Sequence, residues 1–395
     1  MSGDSPSRLP RSLSVDLHVR QPGLEVQAQL RALPGRVSAL VGRVENGQRA
    51  ILEGVAGLRP VIAGRVALGA DALFESRRGL NLPPHQRRLG WLDAEAHLFP
   101  HLTIERNLAY GARAQGPRMK VAPGLDVPSL VKWLDLSAMM DRRPHELNAS
   151  QRVRAALGRA LAADPQGLLM DDPLGRVHDP ERPELLELLA QVAHRFHLPV
   201  LMATPRMEEV VRMADDVVIL HDGRMAGAGP IAQVLSDVSL STFLEGFHAG
   251  SILEGAVTRH DIEWVVSEVD ICGQCVTVPA TLHPVGTRVR LKVRARDVSL
   301  HREVPTDSSS TNVLRGRITQ VMLAGHSGTY GAVGVELARE LDERLELKAG
   351  AQIWGLVTRQ AIEQMNWQPG EPCVVGFNAM SAQVTPLPWT SSKRG

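Results

Sequence analysis

The stretch Ser38-Ala-Leu-Val41-Gly42-Arg-Val-Glu-Asn-Gly47-Gln48-Arg49 decides the fold. An apolar run leads into two glycines with four residues between them, and the helical run Ala50-Ile-Leu-Glu-Gly-Val-Ala-Gly57 follows. A strand, a glycine-bearing loop and a helix N-terminus in this order are typical of a phosphate-binding loop, in which backbone N–H groups surround phosphates. The pattern is incomplete, because Gln48 replaces the usual lysine and Arg49 replaces the hydroxyl that binds Mg²⁺.

Short aliphatic runs alternate with amphipathic stretches around this loop, from about residue 13 to 235. The predicted strands are Val37–Val41, Leu168–Met170, Val200–Ala203 and Val217–Leu220, and the predicted helices include Arg152–Ala163 and Glu184–Phe196. This alternation predicts an α/β domain with a largely parallel sheet. Residues 1–12 are polar and are predicted to form a disordered tail.

Beyond about residue 250, β alternation replaces helical periodicity and predicts an all-β region. Arg288–Arg296 alternates basic and apolar residues, which predicts a half-buried strand with a solvated basic face. The polar run Pro305–Thr311 predicts a linker between two small β units, at 250–303 and 312–385. Cys272-Gly-Gln-Cys275 lies between two β-prone runs, so a hairpin tip is favoured over a metal or redox site.

Composition limits the classes of partner. The 395 residues are too many for one core and indicate two or three domains. Lysine and arginine total 44 against 43 acidic residues and aromatics are 4%, which disfavours nucleic acid as a partner. No run approaches the ~20 apolar residues of a membrane-spanning helix, and the start does not resemble a signal peptide. We therefore expect a cytoplasmic protein that meets a membrane only through a partner.

Further motifs follow in order along the chain. They include Leu82-Pro-Pro-His-Gln-Arg-Arg-Leu-Gly-Trp91, Leu98-Phe-Pro-His-Leu-Thr-Ile-Glu-Arg-Asn-Leu108, Gly158-Arg-Ala-Leu161, Leu168-Leu-Met-Asp-Asp-Pro-Leu174 and Arg294-Ala-Arg-Asp-Val-Ser-Leu300. Together they resemble the ATP-binding subunits of ABC importers, and the molybdate branch in particular, over nearly the whole chain. The resemblance implies a P-loop NTPase-like ABC nucleotide-binding domain over 13–235, followed by an OB-like accessory region of the TOBE/Mop type.

The resemblance also implies a site for ATP with Mg²⁺, in which many residues differ from the family pattern. The matching positions are Gly42, Asn46, Gly47, Gln48, Arg49 and Ala50 in the phosphate loop, Asn148, Ser150 and Gln151 in the dimer signature, and Asp171 and Asp172 in the Walker B segment. Asp172 stands in place of the catalytic glutamate, Ala94 in place of a glutamine, and Pro205 in place of the switch histidine. Because phosphoryl transfer depends on positioning and charge stabilisation, these replacements predict impaired or absent hydrolysis.

In the C-terminal region, the resemblance implies molybdate or a related oxyanion as a ligand. The candidate residues are Ser308, Ser309, Ser310, Asn312 and Thr358. The last serine of the family motif falls on Ala361, so structural support is the alternative role of this region. No resident metal ion is predicted there or elsewhere.

The implied partners are an integral-membrane permease and a second ATP-binding subunit, either another copy of this chain or an intact ABC ATPase. The segment Trp91–Pro100 is expected to dock on the permease, which would hold the chain at the inner face of the cell membrane. Two other hypotheses compete with this transport subunit. One is a working ATPase with unorthodox residues, and the other is an oxyanion sensor or storage module on an ABC scaffold.

Overall fold

The computed structural model describes residues 11–113, 127–237, 240, 250–324, 330–338 and 351–387. Two compact units divide the chain, at residues 1–228 and 229–395. The predicted tail at residues 1–12 lies outside the described residues, except for Arg11 and Ser12. Within the described ranges, no helix has the length and apolar character that crossing a membrane requires.

The first unit combines two sheets with helices. Its strands are β1 Leu13–Gln21, β2 Leu24–Ala32, β3 Val37–Val41, β4 Val61–Leu68, β5 Asp71–Glu75, β6 Leu80–Asn81, β7 Leu89–Asp93, β8 Gly167–Asp171, β9 Val200–Ala203, β10 Asp216–His221 and β11 Arg224–Pro230. Its helices are α1 Gln48–Ala56, α2 Ile104–Arg113, α3 Val127–Trp133, α4 Ala149–Ala162, α5 Arg182–Phe196 and α6 Met207–Met213.

One sheet has the order β2-β1-β4-β5-β6 with antiparallel pairing, and the other has the order β11-β10-β3-β9-β8-β7. In the second sheet, β10, β3, β9, β8 and β7 run parallel. Their fully buried aliphatic residues pack against α1, with Leu40, Ile51 and Leu201 in one core. The predicted α/β domain with a largely parallel sheet is confirmed, because these strands are covered on their faces and read as continuous apolar runs.

A buried arginine fastens the end of α1 to the segment before β7. Arg87 is 1% exposed, and its guanidinium donates to the carbonyl oxygens of Gly54 at 2.9 Å and Val55 at 2.7 Å. It also donates to Leu82 O and to Asn81 Oδ1. The last carbonyl groups of a helix have no hydrogen-bond donors within the helix. A buried guanidinium that donates to them therefore stabilises the helix C-terminus.

Replacing Arg87 by methionine is expected to destabilise the chain by about 2–4 kcal/mol, because buried carbonyl acceptors lose their donors. Chemical unfolding followed by circular dichroism measures the change. The exposed Arg77→Met variant is the control and should stay within about 0.5 kcal/mol of the parent chain. Equal stability of both variants would show that the Arg87 hydrogen bonds contribute nothing.

The second unit is built mainly of strands. They are β12 Gly250–Asp261, β13 Val266–Ile271, β14 Gln274–Pro279, β15 Arg288–Arg294, β16 Ser299–His301, β17 Asn312–Ala324, β18 Tyr330–Leu337, β19 Gln352–Thr358, β20 Pro372–Phe377 and β21 Ala382–Pro386. The short helices α7 Ile231–Ser236 and α8 Arg359–Met365 accompany them. The sheets have the orders β14-β13-β12-β15-β21 and β16-β20-β17-β18-β19, so the predicted β-rich C-terminal region is confirmed.

The two ranges predicted as separate β units exchange strands. β21, from the second range, pairs antiparallel with β15 of the first, and β16, from the first, pairs with β20 of the second. Residues of both ranges, among them Leu291 and Val375, share one buried core. The linker Pro305–Thr311 therefore connects strands of one compact unit.

Two local predictions have different outcomes. Cys272 and Gly273 form the turn between β13 and β14 with φ of 55° and 85°, and Ile271 pairs with Gln274, which confirms the hairpin tip. The prediction of a solvated basic face on β15 is wrong at Arg290. This residue is 2% exposed and donates to Glu254 Oε1 at 2.9 Å. A paired carboxylate makes burial of that guanidinium tolerable.

Candidate functional site

The loop between β3 and α1 depends on two glycines. Gly42 and Gly47 have φ of 144° and 101°, in the region that favours glycine. A Cβ atom on Gly42 would collide with the carbonyl oxygen of Leu220, and one on Gly47 would collide with Val26. Asn46 donates from Nδ2 to the same Leu220 oxygen at 2.9 Å. The loop is thereby held against the end of β10, in a shape that side chains at either glycine would prevent.

Gln48 follows Gly47 of this loop and is the first residue of α1. Its side chain is buried, and Nε2 donates to the carbonyl oxygen of Arg43 at 3.0 Å. The Oε1 atom has no hydrogen-bond partner among the described residues. The N-cap residue Gly47 supplies no side-chain hydrogen bond, so the first N–H groups of α1 are not capped by it. The position of the usual lysine thus carries a neutral amide that is turned back onto the loop.

Arg49 joins α1 to the end of β8. Its Nη1 atom lies 3.3 Å from Asp171 Oδ2, and its Nε atom lies 2.9 Å from Glu53 Oε1. The Asp171 side chain is 11% exposed, whereas that of Arg49 is 65% exposed. A guanidinium therefore neutralises a largely buried carboxylate from the solvent side.

These groups border a cavity of about 360 Å³. Its lining residues are Gly42, Gln48, Arg49, Asp93, Ala94, Glu95, His97, Asp171, Asp172, Ala203, Thr204 and Pro205. The phosphate loop, the Walker B segment and Pro205 are far apart along the chain, and all three border this cavity. Asn46, Gly47 and Ala50 belong to the same loop without bordering the cavity.

Sequence reasoning missed Asp93 and His97. Asp93 is the last residue of β7 and is the register partner of Asp171 in β8. Its Oδ2 accepts from Trp91 Nε1 at 2.9 Å, and its Oδ1 lies 2.8 Å from His97 Nδ1. The signal was available, because polar residues at the carboxyl ends of neighbouring parallel strands meet at one edge of the sheet.

Burial makes both Walker B carboxylates weak acids. It raises the pKa of Asp171 to about 6, an effect that Arg49 opposes and that Asp172 and Asp93 reinforce. Burial also raises the pKa of Asp172 to about 6, and the nearby carboxylate of Glu209 adds to the shift. Both carboxyl groups are thus partly protonated near neutral pH.

Asp172 is held in an unfavourable environment. Its backbone has a φ of 46°, its N–H donates to Ala203 O at 2.7 Å, and its Oδ1 has no partner among the described residues. Glu209 accepts from Thr204 Oγ1 at 2.7 Å and pairs with Arg182, which leaves Asp172 facing a second buried carboxylate. This arrangement places a costly charge beside the cavity.

Replacing Asp172 by asparagine is expected to stabilise the chain at pH 7.5 by about 1–2 kcal/mol, a value discounted for partial solvent screening. Because folding raises this pKa from 3.8 to about 6, the penalty on the parent chain is full above pH 6 and disappears toward pH 3.8. Thermal unfolding between pH 4 and 8 measures the difference. Asp222→Asn is the control, because Asp222 also has a φ of 46° but its side chain is 81% exposed. A gain that is independent of pH would contradict this account.

The signature residues have structural contacts and do not border the cavity. Asn148 and Gln151 form a capping box at the start of α4, with Gln151 N donating to Asn148 Oδ1 at 2.8 Å and Asn148 N to Gln151 Oε1 at 3.1 Å. Asn148 Nδ2 also donates to Glu181 Oε1 at 3.3 Å, and Ser150 is buried. This segment begins α4 well, although it lacks the family's two glycines.

The oxyanion candidates are dispersed within the second unit. Asn312, which is 1% exposed, bonds Thr277 N at 2.7 Å and Thr277 O at 2.8 Å, and it thereby joins β17 to β14. Thr358 caps α8 and lies beside Tyr330, at the other end of β17 from Asn312. The thirteen residues of β17 correspond to about 40 Å of extended strand. Asn312 and Thr358 therefore do not meet within one chain.

The serines near Asn312 do converge with other polar groups. Ser308 Oγ accepts from Ser310 N at 3.1 Å, while Ser309 is exposed. Ser310 Oγ approaches the space beside Gly376, where Ser299 Oγ donates to Gly376 O at 3.0 Å. The contacts of Ser308 and Ser310 are consistent with a structural role at the ends of the strands.

The residues of the cavity do not fit Mg²⁺. A divalent cation needs oxygen ligands, but position 49 carries a guanidinium that already pairs with Asp171. Within the described ranges, no cluster of three or more His, Cys, Asp or Glu side chains has an arrangement that would hold a metal ion. The loop keeps two glycines with positive φ and leads into the N-terminus of α1, which suits a phosphate, so the fit differs between the phosphate and the metal.

The parallel sheet, the loop before α1 and the Walker B segment are the features of a P-loop-type nucleotide-binding domain. The family model described as "ABC transporter" matches residues 27–175. The "Molybdenum import ATP-binding protein ModC" of Paramagnetospirillum magneticum is 34% identical over 358 residues, which cover 91% of this chain and 94% of that protein. Its namesake from Rhodospirillum rubrum is 34% identical over 370 residues, covering 93% and 96%. That from Methylococcus capsulatus is 36% identical over 313 residues, covering 79% and 85%.

These similarities extend across both units. The chain belongs to the family of molybdenum import ATP-binding proteins within the ABC transporters.

Proposed function

We propose that this chain is the ATP-binding-type subunit of a molybdate import system and that it does not hydrolyse ATP. The names of its relatives and their coverage of both units support the transport role. The single observation that supports loss of hydrolysis is the ion pair between Arg49 and Asp171 inside the cavity. It replaces the metal-binding arrangement on which phosphoryl transfer in this class relies.

The other replacements act on separate requirements of the same reaction. Gln48 carries no positive charge with which to stabilise a transferring phosphoryl group. Asp172 is one methylene shorter than glutamate and sits beside buried Glu209, so its carboxylate is both retracted and a weak acid. Pro205 has neither an imidazole nor a backbone N–H. Since these losses affect charge, base and hydrogen bonding together, no single residue compensates for them.

The purified full-length chain is expected to show no ATP turnover above that of its Asp171→Asn variant, with Mg²⁺ present. A fourfold variant, Gln48→Lys with Arg49→Ser, Asp172→Glu and Pro205→His, restores the family residues and is the positive comparison. Phosphate release over several hours measures both. Turnover by the parent chain that Asp171→Asn abolishes would contradict the loss of hydrolysis and favour the working-ATPase hypothesis.

The segment proposed to dock on the permease is firmly shaped. Asn107, which has no exposed surface, accepts from Phe99 N at 2.8 Å and donates to Thr103 O at 3.0 Å. The Phe99 ring packs edge-on against Tyr110 at 4.6 Å between centroids, and the Arg159 guanidinium lies 5.1 Å from the Phe99 ring. Tyr110 and His101 remain exposed beside these contacts. A rigid turn with exposed aromatic and imidazole groups suits a protein partner.

Co-purification with the permease subunit of a molybdate importer from the same organism tests this proposal. The double variant His101→Ala/Tyr110→Ala is expected to reduce association by about tenfold or more, since it truncates two exposed side chains beside the docking segment, His101 after Pro100 and Tyr110 in α2 against Phe99. Trp264→Ala, which truncates an aromatic residue that is 74% exposed in the other unit, is the matched control. Failure of the parent chain to associate, with or without ATP, would argue against the transport role.

A further inference from the structure

Arg49 places a positive charge at the edge of the nucleotide cavity, beside the carboxylate of Asp171. Its guanidinium lies 3.3 Å from Asp171 and 2.9 Å from Glu53, so one side chain neutralises the carboxylate at the end of β8 and also anchors to its own helix. A guanidinium is permanently charged, with five N–H donors in a planar fork. Two of these donors are directed at the two carboxylates, while most of the side chain faces solvent at the mouth of the cavity.

The carboxylates around the cavity are unequal in their availability. Glu95 pairs with Arg176, and Asp93 accepts from Trp91 and contacts His97. Asp171 faces Arg49. A divalent cation that entered here would have to displace the guanidinium from Asp171, and it would then lie close to a like charge. The ion pair therefore disfavours a metal ion at Asp171. Asp172 also borders the cavity with an unpartnered Oδ1, but it belongs to no cluster of described residues that is arranged to hold a metal ion.

The loop beside Arg49 still presents features that suit a phosphate. α1 spans nine residues, its N-cap Gly47 provides no side-chain cap, and Gly42 and Gly47 have φ angles of 144° and 101° in the loop that leads into it. Gln48 borders the cavity, is 7% exposed, and has an amide oxygen with no partner among the described residues. Because an amide oxygen only accepts hydrogen bonds, a water bound together with the phosphate, and not a phosphate oxygen, would satisfy it.

We infer that Arg49 is a built-in substitute for the divalent cation, so that the cavity binds the phosphates of a nucleotide in their metal-free form. The inference rests on the proposed function, since it names the form in which the ATP-binding-type subunit takes its nucleotide. Arg49 contributes charge and N–H donors to the phosphates and keeps Asp171 paired. It supplies no ligand exchange and no activated water, which is consistent with binding without turnover.

Calorimetric titration of the full-length chain with ATP, once in EDTA and once in excess Mg²⁺, tests the inference. For the parent chain, Mg²⁺ is expected to change the Kd by less than about threefold. For Arg49→Ser, which exposes Asp171 and supplies a hydroxyl, Mg²⁺ is expected to strengthen binding by about tenfold or more. Arg49→Lys keeps a cation at this position and should behave like the parent chain.

Two controls assign the effect to the ion pair. Arg36→Ser breaks an arginine–aspartate contact of 3.0 Å to Asp216, which begins β10 in the same parallel sheet, and should leave the metal preference unchanged. The double variant Arg49→Ser/Asp171→Asn should lose the Mg²⁺ preference gained by Arg49→Ser, because the carboxylate that would favour the metal is gone. Circular dichroism establishes that each variant is folded.

The outcomes separate this inference from the proposed function. If Mg²⁺ strengthens binding to the parent chain by about tenfold, or if the parent chain binds no ATP in either condition, the inference is overturned. Neither result affects the proposal of a non-hydrolysing transport subunit, which stands on phosphate release and permease association. Conversely, turnover by the parent chain would overturn that proposal whatever the metal dependence of binding.

Discussion

The parallel register of β7, β8, β9 and β3 is the constraint on which the cavity depends. It places Asp93 beside Asp171, and Asp171 beside Ala203, so that three chain segments far apart in sequence end at one edge of the sheet. The loop that leaves β3 at the same edge is then closed by Gly42 against Leu220. Loss of this alignment would scatter the groups, whereas replacement of individual side chains leaves the cavity in place with altered chemistry.

The energetic consequence is a site that costs stability. Asp171 and Asp172 are held in surroundings that raise both pKa values to about 6, because burial outweighs the attraction of Arg49 at Asp171 and of Arg182 and Arg206 at Asp172. Natural proteins tolerate such strain where function requires it, and the surrounding core compensates for it. Here Arg49 relieves part of the cost by pairing with Asp171. Under the proposed function, the arginine at position 49 therefore both disfavours the metal ion and lessens the electrostatic penalty on Asp171.

The sequence predicted the α/β unit well because its evidence is local. A few consecutive residues are enough to predict aliphatic strands such as Val37–Val41 and Val200–Ala203, and to recognise the glycines of the loop. The pairing of β21 with β15 and of β16 with β20 joins segments separated by dozens of residues, and no local pattern encodes it. The burial of Arg290 was missed for the same reason, since its partner Glu254 lies on another strand. The alternation of basic and apolar residues predicts which side chains share a face of a strand, but it does not predict which other strands or side chains bury that face.

The candidate site shows the same division. The family resemblance assigned Gln48, Arg49 and Asp171 to one nucleotide site, but only the coordinates show that Arg49 pairs with Asp171. That pairing bears on the identity of the second ATP-binding subunit. Under the proposed function, binding energy from a metal-free nucleotide can shift a conformational equilibrium but cannot drive repeated cycles, because nothing in this cavity consumes the nucleotide. Under the same proposal, two copies of this chain would share the deficiency, and net import would call for an intact ABC ATPase as the partner subunit.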